Sequence, residues 1–256
     1  MSGKKPPLFQ LDNVSHNFGE LQLFDNFNLE LQQGDSLVLV GPSGSGKSLL
    51  LKFLAGLVKP KAGRVLFEGD DLATLSKKKR GLFLEQVGML FQQNALFDSM
   101  TVYDNLDFTL SKVRPDMSSQ EKKEIIDHFL NAVSLDHVPT LYPGELSGGM
   151  QKRLGIARAL VLKPKIVFYD DPTAGLDPIS SRRIVQMILD LKKSTGATIA
   201  TVTHDMTRGY QLAGDIMVCF HNDFVPTGDA QATKNHKNPK VQQFIHGRTE
   251  GPLQQI

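Results

Sequence analysis

The sequence contains a single cysteine and no long apolar run, and these two absences restrict the class of protein. Cys219 is the one cysteine in 256 residues, so the chain can form no internal disulfide and suits a reducing compartment such as the cytoplasm. The longest apolar runs, such as 37–40 and 216–220, have the length of a strand and not the roughly 20 residues of a membrane helix. Residues 1–7 lack the apolar core of a signal peptide. We therefore expect a chain that neither spans a membrane nor carries a secretion signal.

The sequence also lacks a marked excess of charge of either sign. Its 29 Lys and Arg residues against 27 Asp and Glu residues give a formal net charge of +2 at pH 7. This balance excludes a strongly basic fold built to follow a nucleic-acid backbone. With 40% hydrophobic and 22% charged residues, the composition is that of an ordinary globular protein of one or two domains.

Short apolar runs recur along the chain, and each of them leads into a helical pattern. The runs do not alternate with polar residues, which predicts strands buried on both faces, as in a parallel sheet covered by helices. Residues 8–35 and 64–69 alternate more and contain turn signals, which predicts an antiparallel β layer. The fold class predicted is therefore α/β. The runs are Ser36–Val40, Val87–Phe91, Ile166–Tyr169, Thr198–Thr203 and Ile216–Phe220.

Residues from about 93 to 160 carry almost no strand signal and predict an α-helical subdomain inserted between two halves of the sheet. Ser118 and Glu121 have the spacing of a capping box, and an apolar stripe follows them. A further helix is predicted from Pro178 to near Gly196. After residue 228 the chain becomes polar, and its two interpretations are a partly frayed tail and a contact for a partner.

The segment Gly41–Ser48 matches the pattern G-x-x-x-x-G-K-[ST] between a predicted strand and a predicted helix. The glycines let the backbone curl so that successive N–H groups point at phosphate oxygens, and the helix N-terminus adds a favourable dipole. A glycine-rich turn leading into a helix is the structural alternative. We expect Lys47 to reach the β- and γ-phosphates and Ser48 to bind Mg²⁺. The predicted nucleotide-binding residues are Gly41, Pro42, Ser43, Gly44, Ser45, Gly46, Lys47, Ser48 and Leu49.

A second half of the site is predicted where the apolar run 166–169 ends in two carboxylates. Asp170 stands at the end of this strand, where a Walker B aspartate holds Mg²⁺. Asp171 follows at once, and a carboxylate at this point can orient or deprotonate the attacking water. The alternative for Asp171 is a turn residue before Pro172.

Ser147, Gly148 and Gly149 open another predicted helix, which makes a second anion site from exposed N–H groups and the helix dipole. On their own these residues are equally compatible with a plain capped helix. The chain already carries a phosphate-binding loop (P-loop) at Gly41–Ser48. Later in the same chain, the segment 146–150 resembles the LSGGQ signature of the ATP-binding cassette (ABC) family, with Met150 in place of the glutamine. The resemblance covers about residues 8–230. It implies a P-loop NTPase (RecA-like) core with a mainly parallel sheet, an N-terminal antiparallel β layer and an inserted helical subdomain, followed by a tail over 231–256.

The resemblance implies ATP and Mg²⁺ as ligands and gives roles to four further residues. Phe18 matches the aromatic residue that stacks on adenine, although a core or turn aromatic is its alternative. Gln92 matches the Q-loop glutamine that touches Mg²⁺ and water. Asp177 resembles the D-loop aspartate, which acts across a dimer, and His204 matches the switch histidine that contacts the γ-phosphate.

The family usually has a glutamate after the Walker B aspartate, and this chain has Asp171 there. The aspartate side chain is one methylene shorter, which retracts the carboxylate by about 1.5 Å. Small misplacements of a catalytic group can cost on the order of 100-fold in rate. We therefore expect ATP hydrolysis that is slow but real.

The resemblance implies a composite site in which the P-loop of one chain faces the Ser147 loop of another, with two ATP molecules between them. This chain has one P-loop and one signature, so we expect an ATP-dependent dimer with a second copy of itself. The segment 94–107 directly after Gln92 shows no clear helical period. In the family this region docks on a membrane permease, and the alternative is local packing of the inserted subdomain. Its apolar residues are Leu96, Phe97, Met100, Val102 and Tyr103.

Residues 95–106, 175–181 and 238–251 resemble the ATPases of Mla-type phospholipid transporters of Gram-negative envelopes. Those ATPases lie on the cytoplasmic side of the inner membrane and work with a permease, an MCE-type substrate-binding protein and sometimes a STAS-domain subunit. The alternatives are a non-transport ABC ATPase that regulates a membrane partner, as the cell-division type does, and an ABC ATPase for another cargo. An ABC ATPase that acts on DNA or ribosomes is disfavoured by the near-zero net charge.

Overall fold

The computed structural model describes residues 6–253. Outside the described part lie residues 1–5 and the last three residues of the tail, 254–256. The expectation about a signal peptide falls partly on residues 1–5. The strands are β1 (Phe9–Phe18), β2 (Leu21–Leu31), β3 (Ser36–Val40), β4 (Ala62–Phe67), β5 (Asp70–Asp71), β6 (Val87–Leu90), β7 (Ile166–Asp170), β8 (Thr198–Val202), β9 (Asp215–Phe220) and β10 (Asp223–Gly228). The helices are α1 (Lys47–Leu54), α2 (Lys77–Glu85), α3 (Val102–Val113), α4 (Ser119–Ala132), α5 (Gly148–Leu160), α6 (Pro178–Thr195), α7 (Met206–Leu212), α8 (Ala230–Lys234) and α9 (Pro239–Ile245).

The chain divides into two compact units, and the first consists of residues up to 76 together with residues from 200 onward. It contains an antiparallel sheet in the order β2-β1-β4-β5, which confirms the predicted β layer. In the same unit β3 pairs in parallel with β9, and β9 pairs antiparallel with β10. All five residues of β3 are buried, as the unbroken apolar run predicts.

The second unit comprises residues 77–199. Its strands β6 and β7 pair in parallel, and every residue of β7 is buried. Residues 91–165 contain α3, α4, α5 and a short 3-10 helix, Pro143–Glu145, without any strand. Buried parallel strands that alternate with helices confirm the α/β fold class. Strand β8 begins in this unit and ends in the first one.

The capping predictions for two helices agree with the structure. Ser118 caps α4 by accepting a hydrogen bond from the N–H of Glu121 at 3.3 Å, and the Glu121 carboxylate accepts one from the N–H of Ser118 at 2.9 Å. Helix α6 begins at Pro178 and ends before Gly196, which adopts a left-handed φ of 67°. These signals are local, so the sequence suffices to find them.

The segment 94–107 contains a helix where the sequence showed no clear helical period. Thr101 caps α3 because its hydroxyl accepts a hydrogen bond from the N–H of Asp104 at 3.1 Å, while the Asp104 carboxylate accepts one from the N–H of Thr101 at 3.3 Å. Val102 is completely buried, so local packing is the correct interpretation for this residue. The spacing of Thr101 and Asp104 is the signal that would have revealed the helix.

The polar tail is ordered in two short capped helices of the first unit. Asp229 caps α8 and Asn238 caps α9, each by accepting hydrogen bonds from backbone N–H groups. Val241 is fully buried, and the side chain of Gln243 accepts a hydrogen bond from the N–H of Leu253 at 2.7 Å. The frayed-tail interpretation is therefore wrong for residues 230–245.

Within residues 6–253, none of the helices combines the length and the apolar character needed to cross a bilayer.

Candidate functional site

The phosphate-binding loop follows β3 at a point where the backbone approaches its neighbour closely. A Cβ atom added at Gly41 would lie 2.0 Å from the carbonyl oxygen of Cys219 on β9. Gly41 also has a φ of 149°. Since any side chain would collide with backbone here, only glycine lets the chain leave the sheet along this path. Cys219 itself is fully buried, and burial raises the pKa of its thiol to about 12.

Gly46 completes the turn of the loop and stands at the N-cap of α1 with a left-handed φ of 92°. Because glycine has no side chain, no capping side chain occupies the first N–H groups of this helix. Those N–H groups and the helix dipole form an anion site. The structure thus provides the backbone geometry that the glycine pattern predicted.

Lys47 brings the positive charge to this loop. Its Nζ donates hydrogen bonds to the carbonyl oxygens of Gly41 at 2.9 Å and Pro42 at 2.6 Å, and to the hydroxyl of Ser45 at 3.3 Å. The side chain is 4% exposed. A buried ammonium group held among loop carbonyls fits a polyphosphate, because phosphate oxygens can replace these acceptors.

Phe18 lies at the end of β1 with its side chain exposed, at 58% of its full surface. It is therefore not a core residue. Its ring meets that of His16 in a T-shaped arrangement at a centroid distance of 5.0 Å, and His16 in turn contacts Phe53 at 5.3 Å. Phe18 is thus held by an aromatic neighbour while more than half of its surface stays open for a further stacking contact. Burial, with a smaller contribution from Lys61, lowers the pKa of His16, whose Nδ1 has no hydrogen-bond partner among the described residues.

In the second unit, β7 ends at Asp170, and a second buried carboxylate, Asp171, follows directly. Asp170 is 7% exposed and Asp171 is 9% exposed. Asp171 adopts a left-handed φ of 50°, a conformation that aspartate tolerates better than longer side chains do. Strand β7 ends at Asp170, so this left-handed turn begins directly after it, which the sequence could not reveal.

Lys152 on α5 is a charged residue of this region that the sequence analysis missed. Its Nζ donates a hydrogen bond to the carbonyl oxygen of Gln92 at 2.5 Å. Burial lowers the pKa of Lys152, and the opposing attraction of Asp171 and Asp170 raises it. Lys152 is therefore hydrogen-bonded to the backbone of the Q-loop and is also attracted electrostatically by the two carboxylates. No sequence signal marks this pairing, since its two residues lie 60 positions apart.

The signature segment forms an open helix N-terminus. Ser147 is the N-cap of α5, and its hydroxyl accepts a hydrogen bond from the N–H of Met150 at 3.3 Å. A Cβ atom added at Gly148 would meet no atom within 4 Å, and one at Gly149 would meet only the Ser180 hydroxyl at 3.9 Å. The two glycines therefore leave open space beside the start of α5, where the first backbone N–H groups of a helix have no intrahelical acceptor.

The remaining predicted residues occupy exposed positions. Gln92 follows β6 with an exposed side chain, and His204 follows β8 and is also exposed. Asp177 is exposed and caps α6, since its carboxylate accepts hydrogen bonds from the N–H groups of Ile179 and Ser180, both at 2.9 Å. Its hydrogen bonds to Ser180 hold the pKa of Asp177 below the usual range. Asp177 therefore has a local structural role in addition to the role that the resemblance implies.

Comparisons with known proteins agree on one family. A sequence profile described as ABC transporter matches residues 24–174. The chain is 36% identical over 244 residues to the probable ribonucleotide transport ATP-binding protein Mkl of Mycobacterium leprae, covering 95% of this chain and 70% of the relative. It is 33% identical over 246 residues to the intermembrane phospholipid transport system ATP-binding protein MlaF of Escherichia coli K12, covering 96% of this chain and 91% of the relative.

Two solved structures are similar in fold and in sequence. A dimeric post-hydrolysis state of the ATP-binding cassette MJ0796 bound to ADP and phosphate has a TM-score of 0.76 and 30% identity, over 84% of this chain and 95% of that one. CbiO1 of Clostridium perfringens, part of the ABC transporter complex CbiONQ, has a TM-score of 0.80 and 26% identity, over 95% of this chain and 96% of that one. Both agree with the P-loop NTPase fold predicted above.

Proposed function

Because this chain belongs to the ATP-binding cassette transporter family, we propose that it is the ATPase subunit that powers phospholipid transport through a membrane permease. The observation that carries the nucleotide part is the loop before α1, where Lys47 lies among three loop oxygens next to an uncapped helix N-terminus. This arrangement binds polyphosphate. The cargo and the partners rest on similarity to relatives.

ATP is proposed to bind with its phosphates in the loop Gly41–Ser48 and its adenine on Phe18. The exposed ring of Phe18 supports this, because an adenine needs an open aromatic face. The ligands proposed for Mg²⁺ are the Ser48 hydroxyl, the Asp170 carboxylate and the Gln92 side chain. Hydroxyl, carboxylate and amide oxygens are the donors that Mg²⁺ prefers, and the ion would neutralise phosphate charge.

Hydrolysis is proposed to use Asp171 as the base. Its carboxylate would accept a proton from the water that attacks the γ-phosphorus, and the bond to the ADP oxygen would break. Lys47 and His204 would hold the γ-phosphate oxygens, and Gln92 would help to place the water. Since the aspartate is shorter than the usual glutamate, we expect a low rate.

The active assembly is proposed to be a dimer in which the signature of one copy completes the site of the other. The start of α5 at Ser147 supports this, because two glycines leave open space beside a helix N-terminus and such a terminus suits a phosphate. Asp177 is proposed to act near the same interface. Separation of the copies after hydrolysis would turn the chemical step into motion of the permease.

The permease is proposed to dock on the exposed surface around Phe97, which is 39% exposed. This contact would hold the chain on the cytoplasmic side of the inner membrane. An MCE-type substrate-binding protein and a STAS-domain subunit are proposed as further partners. The tail 231–256 is proposed to contribute to a dimer or partner contact, and truncation after Gly228 should then weaken the complex.

Phospholipid is the proposed cargo because the E. coli relative, which this chain covers almost completely, is named for intermembrane phospholipid transport. The M. leprae relative is named for ribonucleotide transport, so another cargo is the competing hypothesis. Regulation of a membrane partner without transport is the other alternative.

The test is affinity purification of the chain from detergent-solubilised membranes of its own host, with mass spectrometry of the proteins and lipids that co-purify. A stoichiometric permease with an MCE-type protein and bound phospholipid is the expected result. A permease without an MCE-type protein would reject the Mla-type assignment, and the absence of any membrane protein would reject the transporter. The Lys47→Ala variant is the matched control, since it should keep the partners and lose ATP turnover.

A further inference from the structure

Helix α2 carries four consecutive basic residues in a chain whose total charge is nearly balanced. It begins with Lys77, Lys78, Lys79 and Arg80, and Glu85 is its only acidic residue. All four basic residues are exposed. Since the net charge of the whole chain is only +2, this short helix is a local concentration of positive charge.

The charges of α2 are not arranged to stabilise the helix. Residues four positions apart lie on one face of a helix, and a basic residue gains stability when an acidic residue stands there. The positions four after the basic residues of α2 hold Gly81, Leu82, Phe83 and Leu84, none of which is acidic. The first turn also contains cations and no acid, although the positive end of the helix dipole favours acids. The pattern therefore points to a role other than the stability of the helix.

Two leucines of the same helix are exposed beside these charges. Leu82 is 51% exposed and Leu84 is 46% exposed. By the four-residue spacing, Leu82 shares a face with Lys78, and Leu84 shares a face with Arg80. A Cβ atom added at Gly81 would meet no atom within 4 Å, so no described part of the chain covers the surface at this point. We call the exposed surface of residues 77–82 and 84 the basic-apolar face.

The other side of α2 is fixed within the second unit. Phe83 is 3% exposed, and α2 packs against β6. The Gln86 side chain donates a hydrogen bond to the carbonyl oxygen of Leu82 at 3.0 Å. The carbonyl oxygen of Gln86 accepts hydrogen bonds from the N–H groups of Lys165 at 2.9 Å and Ile166 at 3.2 Å. The basic-apolar face is therefore presented from a firmly packed support.

We propose that the basic-apolar face binds the headgroups of anionic phospholipids, so that α2 lies on a membrane surface. Lysine and arginine form charge-assisted hydrogen bonds with phosphate, and basic residues beside leucines are typical of helices that lie in the membrane interface. Because Leu82 and Leu84 are two positions apart, they project on two flanks of the helix. This placement suits a broad lipid surface better than a single pocket in a protein.

This contact goes beyond the proposed function, because it would hold the ATPase on the bilayer independently of the permease. With nine residues, α2 is far shorter than the roughly 20 residues that span a bilayer. The contact is therefore confined to one membrane surface. It depends neither on the ATP site nor on the identity of the cargo.

The test is flotation of the full chain with lipid vesicles. Vesicles of phosphatidylglycerol and phosphatidylethanolamine should carry the chain, and vesicles of phosphatidylcholine alone should not. Binding should fall steeply between about 50 and about 500 mM NaCl, because salt screens charges at a surface. Exchange of Lys77→Gln together with Lys78→Gln should weaken vesicle binding roughly 25-fold, since each basic residue contributes a factor of about 5. Leu82→Gln together with Leu84→Gln should weaken it by at least about tenfold.

The matched control for charge is Lys163→Gln together with Lys193→Gln, which removes two exposed lysines of the same unit. Leu57→Gln is the apolar control, because Leu57 is also 51% exposed. Both controls should bind vesicles like the unmodified chain. ATP turnover without vesicles should be the same in all of these variants, which shows that each one is folded.

Three results would overturn the proposal: no flotation of the unmodified chain, equal flotation with phosphatidylcholine, or normal flotation of both α2 variants. If the α2 variants float normally but no longer recover the permease from membranes, the basic-apolar face binds the permease instead of lipid. Failure of the unmodified chain to hydrolyse ATP would reject the proposed function and leave the lipid contact standing. The two proposals can therefore fail separately.

Discussion

The ammonium group of Lys152 lies 2.5 Å from the carbonyl oxygen of Gln92. A lysine of α5, the helix that begins in the signature segment, is thus hydrogen-bonded directly to the Q-loop. Its charge is also attracted by Asp171 and Asp170. The hydrogen bond ties the backbone of Gln92 to α5, and the two carboxylates are near enough to oppose the lowering of the pKa of Lys152. Lys152 is thus a positioning residue for the proposed hydrolysis.

Replacement of Lys152 by methionine should reduce kcat by about 10- to 100-fold, because misplaced catalytic groups lose rate steeply. ATP affinity should stay the same, since the phosphate loop is untouched. Steady-state ATP hydrolysis and the binding of a fluorescent ATP analogue separate the two quantities. Lys152→Arg retains a donor at this place and should recover part of kcat. An unchanged kcat in Lys152→Met would show that the hydrogen bond is merely structural.

Gly41→Ala should destroy nucleotide binding and destabilise the fold by more than about 3 kcal/mol, because its Cβ would lie 2.0 Å from the Cys219 carbonyl oxygen. Gly34→Ala is the matched control. Gly34 has a φ of 89° and open space around the site of a Cβ, so it should cost only about 1 kcal/mol. Chemical denaturation measures both values. Equal losses in the two variants would mean that backbone strain and not the close approach makes glycine necessary.

Asp171→Glu should raise ATP turnover in the assembled complex, since the longer side chain advances the carboxylate by about 1.5 Å. The left-handed φ of 50° at this residue suits aspartate better than glutamate, so the gain should come with a small loss of stability. Asp171→Asn keeps the size and the backbone preference, and its turnover should fall by at least about 100-fold. If Asp171→Glu leaves turnover unchanged, Asp171 is not a compromised base.

Phe18→Ala should weaken ATP binding by about 2- to 12-fold, because an aromatic stacking contact contributes roughly 0.5–1.5 kcal/mol. The free energy of unfolding should hardly change, since the ring is 58% exposed. Phe18→Tyr preserves the aromatic face and is the control for ATP affinity. Titration with ATP and with a triphosphate that lacks an aromatic base tests the assignment, and only ATP binding should depend on Phe18.

The stability of the first unit should fall as the pH drops below about 6.5, because the folded protein resists protonation of His16. The pKa of His16 is lowered on folding, so its contribution is fully present above the unfolded value of about 6.5 and declines as pH falls toward the folded value. Urea unfolding at pH 7.5 and 5.5 measures the loss. The fall in the free energy of unfolding from pH 7.5 to pH 5.5 should be smaller in His16→Phe than in the unmodified chain. His137→Gln changes an exposed histidine and should show the same fall as the unmodified chain.

The parts of the site that sequence could predict are those specified by neighbouring residues. The loop before α1 depends on glycines at Gly41 and Gly46 that adopt positive φ values, and a strand and a helix flank it in the sequence. Helix α4 is specified by the capping box at Ser118 in the same local way. The α/β class followed from buried strands such as β3 and β7.

The parts that sequence could not predict depend on packing between distant residues. Lys152 and Arg158 bond to carbonyl oxygens 60 to 64 positions earlier in the chain, where α5 packs closely against β6 at Gly155 and Gly88. The left-handed turn at Asp171 is similarly imposed by its surroundings. Helix α3 differs, since its capping box was present in the sequence and was masked by the apolar loop before it.

The burial of Cys219 makes the native thiol of this protein unreactive. With its pKa raised to about 12 and its thiol enclosed beside the phosphate-binding loop, the native cysteine remains protonated and shielded from alkylating reagents at neutral pH. A cysteine introduced on the surface would therefore be the only reactive thiol in the chain. Paired spin labels or crosslinkers can then report the distance between two copies without first removing the natural residue.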